Sequence, residues 1–587
     1  MQTVRSTLIL MVFIHCFSCN NFLEKQPDDA LTLDTVFARR AETERYLMNV
    51  FSYLPDEANI WNGTPWLGSS DEADITWERD SYATYQINLG NFGPLNSQFN
   101  FWKSYYQGIR SASVFLERVD ECKELTPKEL IQYKAEARFL RAVFHFFLLR
   151  QYGPIILIDE ALGVDVDFNQ SKYTRQPYDL CINFIVTELQ QSMKDLPLII
   201  DDPKWYGRPT KGAAMAFKAR ALLYAASPLY NGNTTYSNFK NSEEEELISQ
   251  KFSIEKWKKA ADANKDIIDL DIYHLYKNQN FKKPEENNDP FLSYKNLFLE
   301  PWNQEIIFAR AQNSSNSFEQ HCSPRSVNGW NGCSVTQQQV DAYFMSNGKM
   351  IDEPESGYME EGFSTKATRF TPEKVWNMYI NREPRFYVSV AFNGMEWPFD
   401  NHQLELYSSG LDGKQGSHDH SRTGYLIHKM VSPNSDIQNA RYSSRPWIFI
   451  RLGEIYLNYA EALNEYDPGN PDIALYVNKI RERAGLPDLP EGLSQDEMRK
   501  RIRRERRVEL AFEGHRFFDT RRWKIAEKTD GGPFWGMNTD SGDSITDVSF
   551  YERTIFENRV FESKNYLWPI PQSEINKHSL LIQNPGW

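Results

Sequence analysis

The composition of the chain excludes several classes of protein. Its 587 residues include 66 basic and 80 acidic side chains, a formal charge of −14, and no long basic block. A nucleic-acid binder needs clustered Lys and Arg facing phosphates, so we expect no nucleic-acid partner. With 14% aromatic residues, the chain can bury enough apolar surface to fold, which excludes a disordered protein. Beyond residue 20, no apolar run approaches the ~20 residues of a membrane-spanning helix.

The N-terminus has the pattern of a signal peptide. A basic residue precedes an apolar run over residues 8–14, which is too short to span a membrane. The run leads to Ser18-Cys19, the order of a small residue and an acylated Cys in bacterial lipoproteins, although Cys16 stands where Leu is usual. We predict that residues 1–18 are a lipoprotein signal peptide and that Cys19 is lipidated. The alternative is an ordinary secretory signal with two incidental cysteines.

The four remaining cysteines are too dispersed to form a disulfide framework, and no CxxC pair remains for zinc. Cys122 and Cys181 are interpreted as buried apolar thiols. Cys322 and Cys333 are close enough in sequence for a disulfide to close a loop, which an oxidising compartment would permit. We expect neither a metal nor a cofactor.

Helical patterns dominate the chain. Thr126-Pro127-Lys128-Glu129 is a capping box with Pro at the first helical position. Apolar residues then recur at spacings of three and four until Gly153-Pro154, which predicts one long helix. An alanine-rich pattern over 210–227 predicts a second helix that a neighbour can approach closely. Further helical patterns cover residues 179–193, 254–270, 447–465, 473–484 and 494–513.

Two of these predicted helices carry unusual polar residues. In 447–465 the polar residues form one narrow seam on an otherwise apolar helix, which is typical of a helix enclosed by neighbours in a helical-repeat protein. The 494–513 helix is dense in charge, with four Arg between positions 503 and 507. We interpret it as part of an internal ion network, in which Glu505, Glu509 and Glu513 on adjacent turns neutralise the Arg. The alternative is an anion-binding or nucleic-acid-binding patch.

Long irregular stretches separate the helices, and they are rich in Asn, Gly, Ser and aromatic residues. Loops of this length on a regular scaffold usually hold the binding surface. We therefore predict a mostly α fold, a helical-repeat scaffold bearing long irregular ligand-binding loops. The stretches cover residues 54–100, 155–176, 278–302, 311–370 and 391–444.

Sequence motifs along the chain resemble those of the SusD/RagB family of outer-membrane lipoproteins. The most specific match runs from Glu505 to Arg516 and continues in Asp519-Thr-Arg-Arg-Trp523. Further matches follow the same order as in the family: Asn21-Phe-Leu-Glu24, Ser70-Asp-Glu-Ala73, Arg208-Pro-Thr-Lys-Gly212, Ser227-Pro-Leu-Tyr-Asn231, residues 451–463, residues 477–487, Pro569-Ile-Pro571 and residues 583–586.

This resemblance implies tetratricopeptide-like helical pairs, with an N-terminal region over 19–300 and a C-terminal region over 301–587 packed on the same scaffold. It also implies a non-enzymatic glycan-binding lipoprotein of the outer membrane, lipid-anchored and facing the cell exterior. Its implied partner is a SusC-type TonB-dependent transporter, to which it delivers oligosaccharide. A few members of the family are associated with peptide uptake, so a peptide or another nutrient is the alternative ligand.

An enzyme is the competing interpretation. The sequence contains no GxSxG, HExxH, GxxxxGK or Rossmann motif. A pair of catalytic carboxylates, as in a glycoside hydrolase, stays possible, because the distance between two carboxylates cannot be read from the sequence. His418-Asp419-His420 with Asp412 could suggest a metal site, but we favour an exposed polar loop.

Two aromatic loop stretches are the candidate glycan platform. Sugar rings present apolar C–H faces on which Trp and Tyr can stack, while Asn, Asp and Arg bind the hydroxyls. The second stretch holds Trp330 within the loop that Cys322 and Cys333 would close, and such a disulfide would preorganise it. For Trp61 and Trp66 a structural role in the core is an equal alternative. The candidate residues are Trp61, Trp66, Trp77, Tyr82 and Tyr85 in the first stretch, and Asn328, Trp330 and Asn331 in the second.

Overall fold

A computed structural model describes residues 32–587, except 80, 97–99, 164, 169, 399–401 and 416. The predicted signal peptide and Cys19 lie outside the described residues. The α-helices of the described part are α1 (Leu33–Ala38), α2 (Arg40–Ser52), α3 (Ala83–Asn88), α4 (Phe101–Arg118), α5 (Pro127–Tyr152), α6 (Tyr178–Ser192), α7 (Lys211–Ala226), α8 (Ile254–Ile268), α9 (Pro290–Leu297), α10 (Ser315–Cys322), α11 (Gln337–Val340), α12 (Pro384–Ser389), α13 (Leu452–Tyr466), α14 (Pro471–Arg483), α15 (Gln495–Glu509), α16 (Arg516–Arg522), α17 (Ala526–Thr529) and α18 (Gln572–Ile575).

Short strands form four two-stranded antiparallel sheets, in which β1 pairs with β3, β2 with β6, β4 with β5 and β7 with β8. The strands are β1 (Ala73–Ile75), β2 (Ile306–Arg310), β3 (Cys333–Val335), β4 (Val390–Phe392), β5 (Tyr425–Ile427), β6 (Trp447–Arg451), β7 (Gly532–Met537) and β8 (Arg553–Arg559). No helix among the described residues has the length and apolar character needed to cross a membrane.

The longest helix, α5, begins where its capping box predicts. The Thr126 hydroxyl accepts a hydrogen bond from the Glu129 amide at 3.3 Å, and the Glu129 carboxylate accepts one from the Thr126 amide at 2.9 Å. Pro127 occupies the first helical position, and Gly153, with φ +71°, ends the helix. The cap satisfies amide groups that would otherwise lack partners, which explains why the boundary is so well defined.

The helices pack in succession along the chain. Helix α4 packs on α5, α5 on α6, α6 on α7 and α7 on α8, and α8 then packs on α13, which contacts α14 and α15. Seven buried alanines in α7 leave room for its neighbours to approach closely. Helices from both halves of the chain thus form one scaffold, and the mostly helical repeat fold predicted from the sequence is confirmed.

The predicted helix over 447–465 is wrong in its first five residues. Trp447–Arg451 is strand β6, which pairs with β2, and the helix begins only at Leu452. The first four residues of this segment are aromatic or β-branched, and all five are buried. Such side chains favour an extended strand, and apolar residues on both faces make a strand indistinguishable from a buried helix by periodicity alone.

The predicted internal ion network exists, but its cations come from other elements than those expected. Glu509 of α15 accepts hydrogen bonds from Arg451, Arg385 and Arg483, all of them buried. The surrounding positive charges hold the pKa of Glu509 well below its usual range, against the opposing effect of burial. The network therefore joins α15 to β6, α12 and α14, rather than neutralising α15 along its own turns.

Candidate ligand-binding site

Pairing of β1 with β3 brings the two predicted aromatic stretches together. The register places Ala73 opposite Val335 and Ile75 opposite Cys333. Just beyond the strands, the Thr76 amide donates to the Gly332 carbonyl at 3.1 Å, and its hydroxyl donates to the Asn331 carbonyl at 2.7 Å. Trp77 follows directly and therefore lies beside Trp330, with 6.4 Å between the ring centroids.

Five rings form a continuous cluster, which we call the aromatic platform: Trp61, Trp77, Tyr82, His321 and Trp330. Centroid separations are 5.4 Å for Trp61–Trp77, 6.1 Å for Trp77–Tyr82, 5.7 Å for Trp77–His321 and 4.2 Å for His321–Trp330. Trp330 is 43% exposed, and Trp61, Trp77 and Tyr82 are half-buried. The platform therefore presents aromatic surface to solvent on a support of other rings.

The turn carrying Trp330 depends on its Asn and Gly residues. Asn328 and Asn331 adopt left-handed conformations, with φ of +69° and +48°, which Asn tolerates better than most residues. A Cβ atom on Gly332 would come within 2.6 Å of the Trp77 ring. One on Gly329 would overlap the Ser323 carbonyl. The composition that suggested a binding loop is thus also what allows the turn to fold.

Hydrogen bonds fix the orientation of Trp77. Its indole Nε1 donates to Asp419 Oδ1 at 2.8 Å, and His418 Nε2 lies 3.2 Å from the same oxygen. The Asp419 carbonyl accepts from Arg325 at 3.1 Å and from the Asn331 side chain at 3.2 Å. Asp412 and His418-Asp419-His420, predicted as an exposed polar loop, thus buttress the platform. The prediction of exposure is wrong for Asp412, which is buried, whereas His418 brings an exposed imidazole to the platform edge.

His321 is a platform residue that sequence reasoning missed. It lies in α10 one turn after Ser317, whose carbonyl oxygen contacts its Nδ1. Burial lowers the pKa of His321 to about 3, so its ring is neutral at physiological pH. The available signal in the sequence was its position, because His321 is an aromatic residue directly before Cys322, where the predicted Trp330 loop begins. Only the fold shows that it stands between Trp61, Trp77 and Trp330.

Two of the predicted site residues, Trp66 and Asn331, are buried and do not face a ligand. Trp66 is 1% exposed and packs on Phe101, Phe517, Phe518 and Trp568, with centroids 4.8–5.7 Å away, so it is a core residue.

Asn331 is fully buried, and its side chain donates to the carbonyls of Asp412 and Asp419. It therefore supports the platform without facing a ligand. Of the remaining candidates, Asn328 is exposed at the platform edge, and Tyr85 is half-buried in α3.

Cys322 and Cys333 are adjacent free thiols in the structure. Both are buried in the same hydrophobic cluster, at the two ends of the segment that carries Trp330. Burial and the interaction with Cys333 raise the pKa of the Cys322 thiol. The predicted disulfide stays a prediction. Cys122 and Cys181 are buried, as expected.

The residues weighed as a metal site have separate partners. Asp412 accepts hydrogen bonds from Ser326, whereas Asp419 holds Trp77, and His420 contacts the Ser417 carbonyl. In the part of the chain that the structure describes, no group of three His, Cys, Asp or Glu side chains is arranged to hold a metal ion.

Fold and site together have the features expected of a binding protein: a helical-repeat scaffold with an aromatic platform on its loops. A model of the SusD family matches residues 304–587. A second model, described as starch-binding and associating with the outer membrane, matches residues 21–223. The chain therefore belongs to the SusD/RagB family, a family of carbohydrate-binding proteins associated with the outer membrane.

Individual relatives agree with this assignment. SusD-like protein P2 of Formosa agariphila is 36% identical over 157 residues, which cover 25% of this chain and 27% of that protein. The starch-binding protein SusD of Bacteroides thetaiotaomicron is 21% identical over 554 residues, 91% of this chain and 84% of that protein. The solved structure of BT4246 is similar with a TM-score of 0.82 at 27% identity, covering 94% of this chain and all of that chain (100%).

Proposed function

We propose that the protein captures glycan on the aromatic platform at the cell surface and passes it to a SusC-type TonB-dependent transporter. The observation that carries this proposal is the exposed face of Trp330, set at an angle to Trp77 and bordered by polar side chains. The family description as starch-binding and outer-membrane associated, and the name of the relative SusD, support the ligand class.

The platform suits a sugar ring for physical reasons. An indole face covers the apolar C–H face of a pyranose, while neighbouring donors and acceptors exchange hydrogen bonds with its equatorial hydroxyls. Asn328, His418 and Arg79 are exposed around the rings and supply such groups. Because Asp419 and the β1–β3 pairing already hold the rings in place, little conformational entropy is lost on binding.

Anchoring and partner follow from the same proposal. Acylation of Cys19, which lies outside the described residues, would place the chain on the outer membrane, and two or more acyl chains give a stable attachment. A lid on a transporter needs an extended interface, which a helical-repeat scaffold offers. Recovery of this chain alone from gentle detergent extraction, at native expression with its operon intact, would contradict the partnership.

Two of the carboxylates that the structure describes beside the platform have partners. Asp419 accepts from Trp77, and Glu78 is paired with Arg422 at 2.5 Å. A glycoside hydrolase needs a proton-donating and a nucleophilic or basic carboxylate free to act on either side of one bond. The neighbourhood of the platform thus favours capture without chemistry.

The test is affinity electrophoresis of the mature chain through gels containing different polysaccharides. We expect retardation by at least one polysaccharide with no release of reducing sugar. Release of sugar would support a hydrolase, and retention on immobilised peptides with none on glycans would support the alternative nutrient. Either result would refute the proposal.

A further inference from the structure

A second concave site lies on the helical scaffold, away from the residues of the aromatic platform. A cavity of about 530 Å³ opens between the end of α7, the start of α8 and the first half of α15. We call it the basic pocket, and its charged lining consists of Arg499, Arg503, Lys524 and Glu465. Three cations face one carboxylate, in a chain whose formal charge is −14. Such a local excess of positive charge attracts anions.

Two of the three cations have protein partners. Arg499 is paired with Glu465, with Nη2 2.7 Å from Oε2, and also with Asp496. Lys524 Nζ donates to Asn233 Oδ1 at 2.8 Å and to the Thr235 hydroxyl at 3.1 Å, both of which are neutral acceptors. Glu465 is therefore already paired with Arg499. The hydrogen-bond partners of Lys524 are neutral, so they do not balance its positive charge.

The third cation, Arg503, makes no hydrogen bond or ion pair with any residue that the structure describes. Its guanidinium lies over the Trp523 ring, 4.6 Å from the centroid, and its Nε is buried without an acceptor. Burial lowers the pKa of Arg503. The nearby charges of Glu461 and Glu465 offset this effect only in part, without a hydrogen bond to Arg503. An oxyanion that reached the Nη atoms from the basic pocket would supply the acceptor that the described residues do not.

The rest of the lining is shaped for a ring. Trp257 contributes a buried indole, and Phe252, 59% exposed, stands at the rim. Gly232, with φ +81°, lets the 231–234 turn approach Phe252, since a Cβ there would come within 2.9 Å of the Phe252 backbone nitrogen. A cavity of this volume matches a small-molecule site, and its lining combines cations with aromatic rings.

We propose that the basic pocket binds an oxyanion, a carboxylate, sulfate or phosphate group, carried on a ring-sized ligand such as an acidic sugar. Arg503 and Lys524 would hold the oxyanion, and Phe252 would cover the ring. The proposed oxyanion binding does not depend on the aromatic platform. A role for the basic pocket in glycan capture, by contrast, rests on the proposed function. If both hold, the protein takes acidic glycans, which contact it at two separate places.

The test is isothermal titration of the mature chain with galactose 6-sulfate, galacturonate, inorganic sulfate and, as a neutral probe, galactose. Arg503→Met removes the charge and keeps a long unbranched side chain beside Trp523. Arg501→Met is the matched control, because it removes the same charge from the same helix but from a side chain paired with Glu353. We expect saturable binding of the acidic sugars to wild type and to Arg501→Met, and roughly tenfold weaker binding to Arg503→Met.

Equal affinities of Arg503→Met and Arg501→Met, or no saturable binding of any anionic probe, would overturn the proposal. Equal binding of inorganic sulfate and galactose 6-sulfate would overturn the sugar assignment and retain the oxyanion. If Arg503→Met does not fold, Lys524→Gln at the pocket rim provides the same comparison. Trp330→Ala should leave these titrations unchanged, so failure of the platform and failure of the basic pocket are distinguishable.

Discussion

Truncation of Trp330 should weaken glycan binding without unfolding the protein. A Trp side chain can bury up to about 250 Å², so the 43% exposed fraction of Trp330 leaves about 100 Å² for a ligand. At ~25 cal/mol per Å² this surface is worth about 2.5 kcal/mol as an upper limit. A sugar ring covering roughly half of this surface contributes about 1.3 kcal/mol, and we therefore expect Trp330→Ala to raise the Kd close to tenfold.

The assay is affinity electrophoresis or isothermal titration with the polysaccharide that wild type binds. Trp205→Ala is the matched control, because Trp205 is 41% exposed and belongs to the 203–205 turn, outside the platform. Both variants should melt close to wild type, and only Trp330→Ala should lose affinity. A Trp330→Ala protein that melts much earlier yet binds normally when folded would show that Trp330 is a structural residue.

Three further predictions concern stability and covalent state. Trp66→Ala should lower the free energy of unfolding by ~3–5 kcal/mol while the folded fraction still binds glycan; a near-neutral effect in urea denaturation would refute its place in the core. Burial and the neighbouring charge of Asp71 raise the pKa of Glu72 from 4.5 to about 8, so its stabilising contribution is complete below pH 4.5 and is lost as pH rises through 8. Glu72→Gln should therefore match wild type in acid and exceed it increasingly towards pH 8, and parallel urea midpoints at all pH values would contradict this. Protein exported to an oxidising compartment should carry a Cys322–Cys333 disulfide, and a peptide mass spectrum in which Cys322 and Cys333 are both alkylated without prior reduction would exclude it.

Local signals in the sequence predicted seven of the eighteen α-helices that the structure describes, namely α5 to α8 and α13 to α15. The Thr126 capping box and the Gly153-Pro154 stop define α5, because these residues satisfy or end the backbone hydrogen bonds next to them. The boundary between β6 and α13 could not be predicted in the same way. Residues 447–450 are all apolar, and these four and Arg451 are all buried. Their pattern therefore carries no period that separates strand from helix.

The candidate site was predicted in its residue types but not in its assembly. Trp77 and Trp330 lie far apart in sequence, and strands of three residues that pair them leave no detectable periodicity. Trp66 resembles its neighbours in sequence, yet contacts with α16 and Trp568 place it in the core. Whether a Trp is buried or exposed depends on its contacts with residues that are distant in sequence. The residues next to it in the chain do not reveal those contacts.

The location of the glycan site is the central claim, and hydrogen exchange measured by mass spectrometry tests it most directly. The mature chain is exchanged with and without the polysaccharide that retards it in affinity electrophoresis. We predict that glycan slows exchange in the segments around residues 77–82 and 325–332 and leaves α5 unchanged. Protection confined to other parts of the chain, with these two segments unaffected, would contradict the assignment of the aromatic platform.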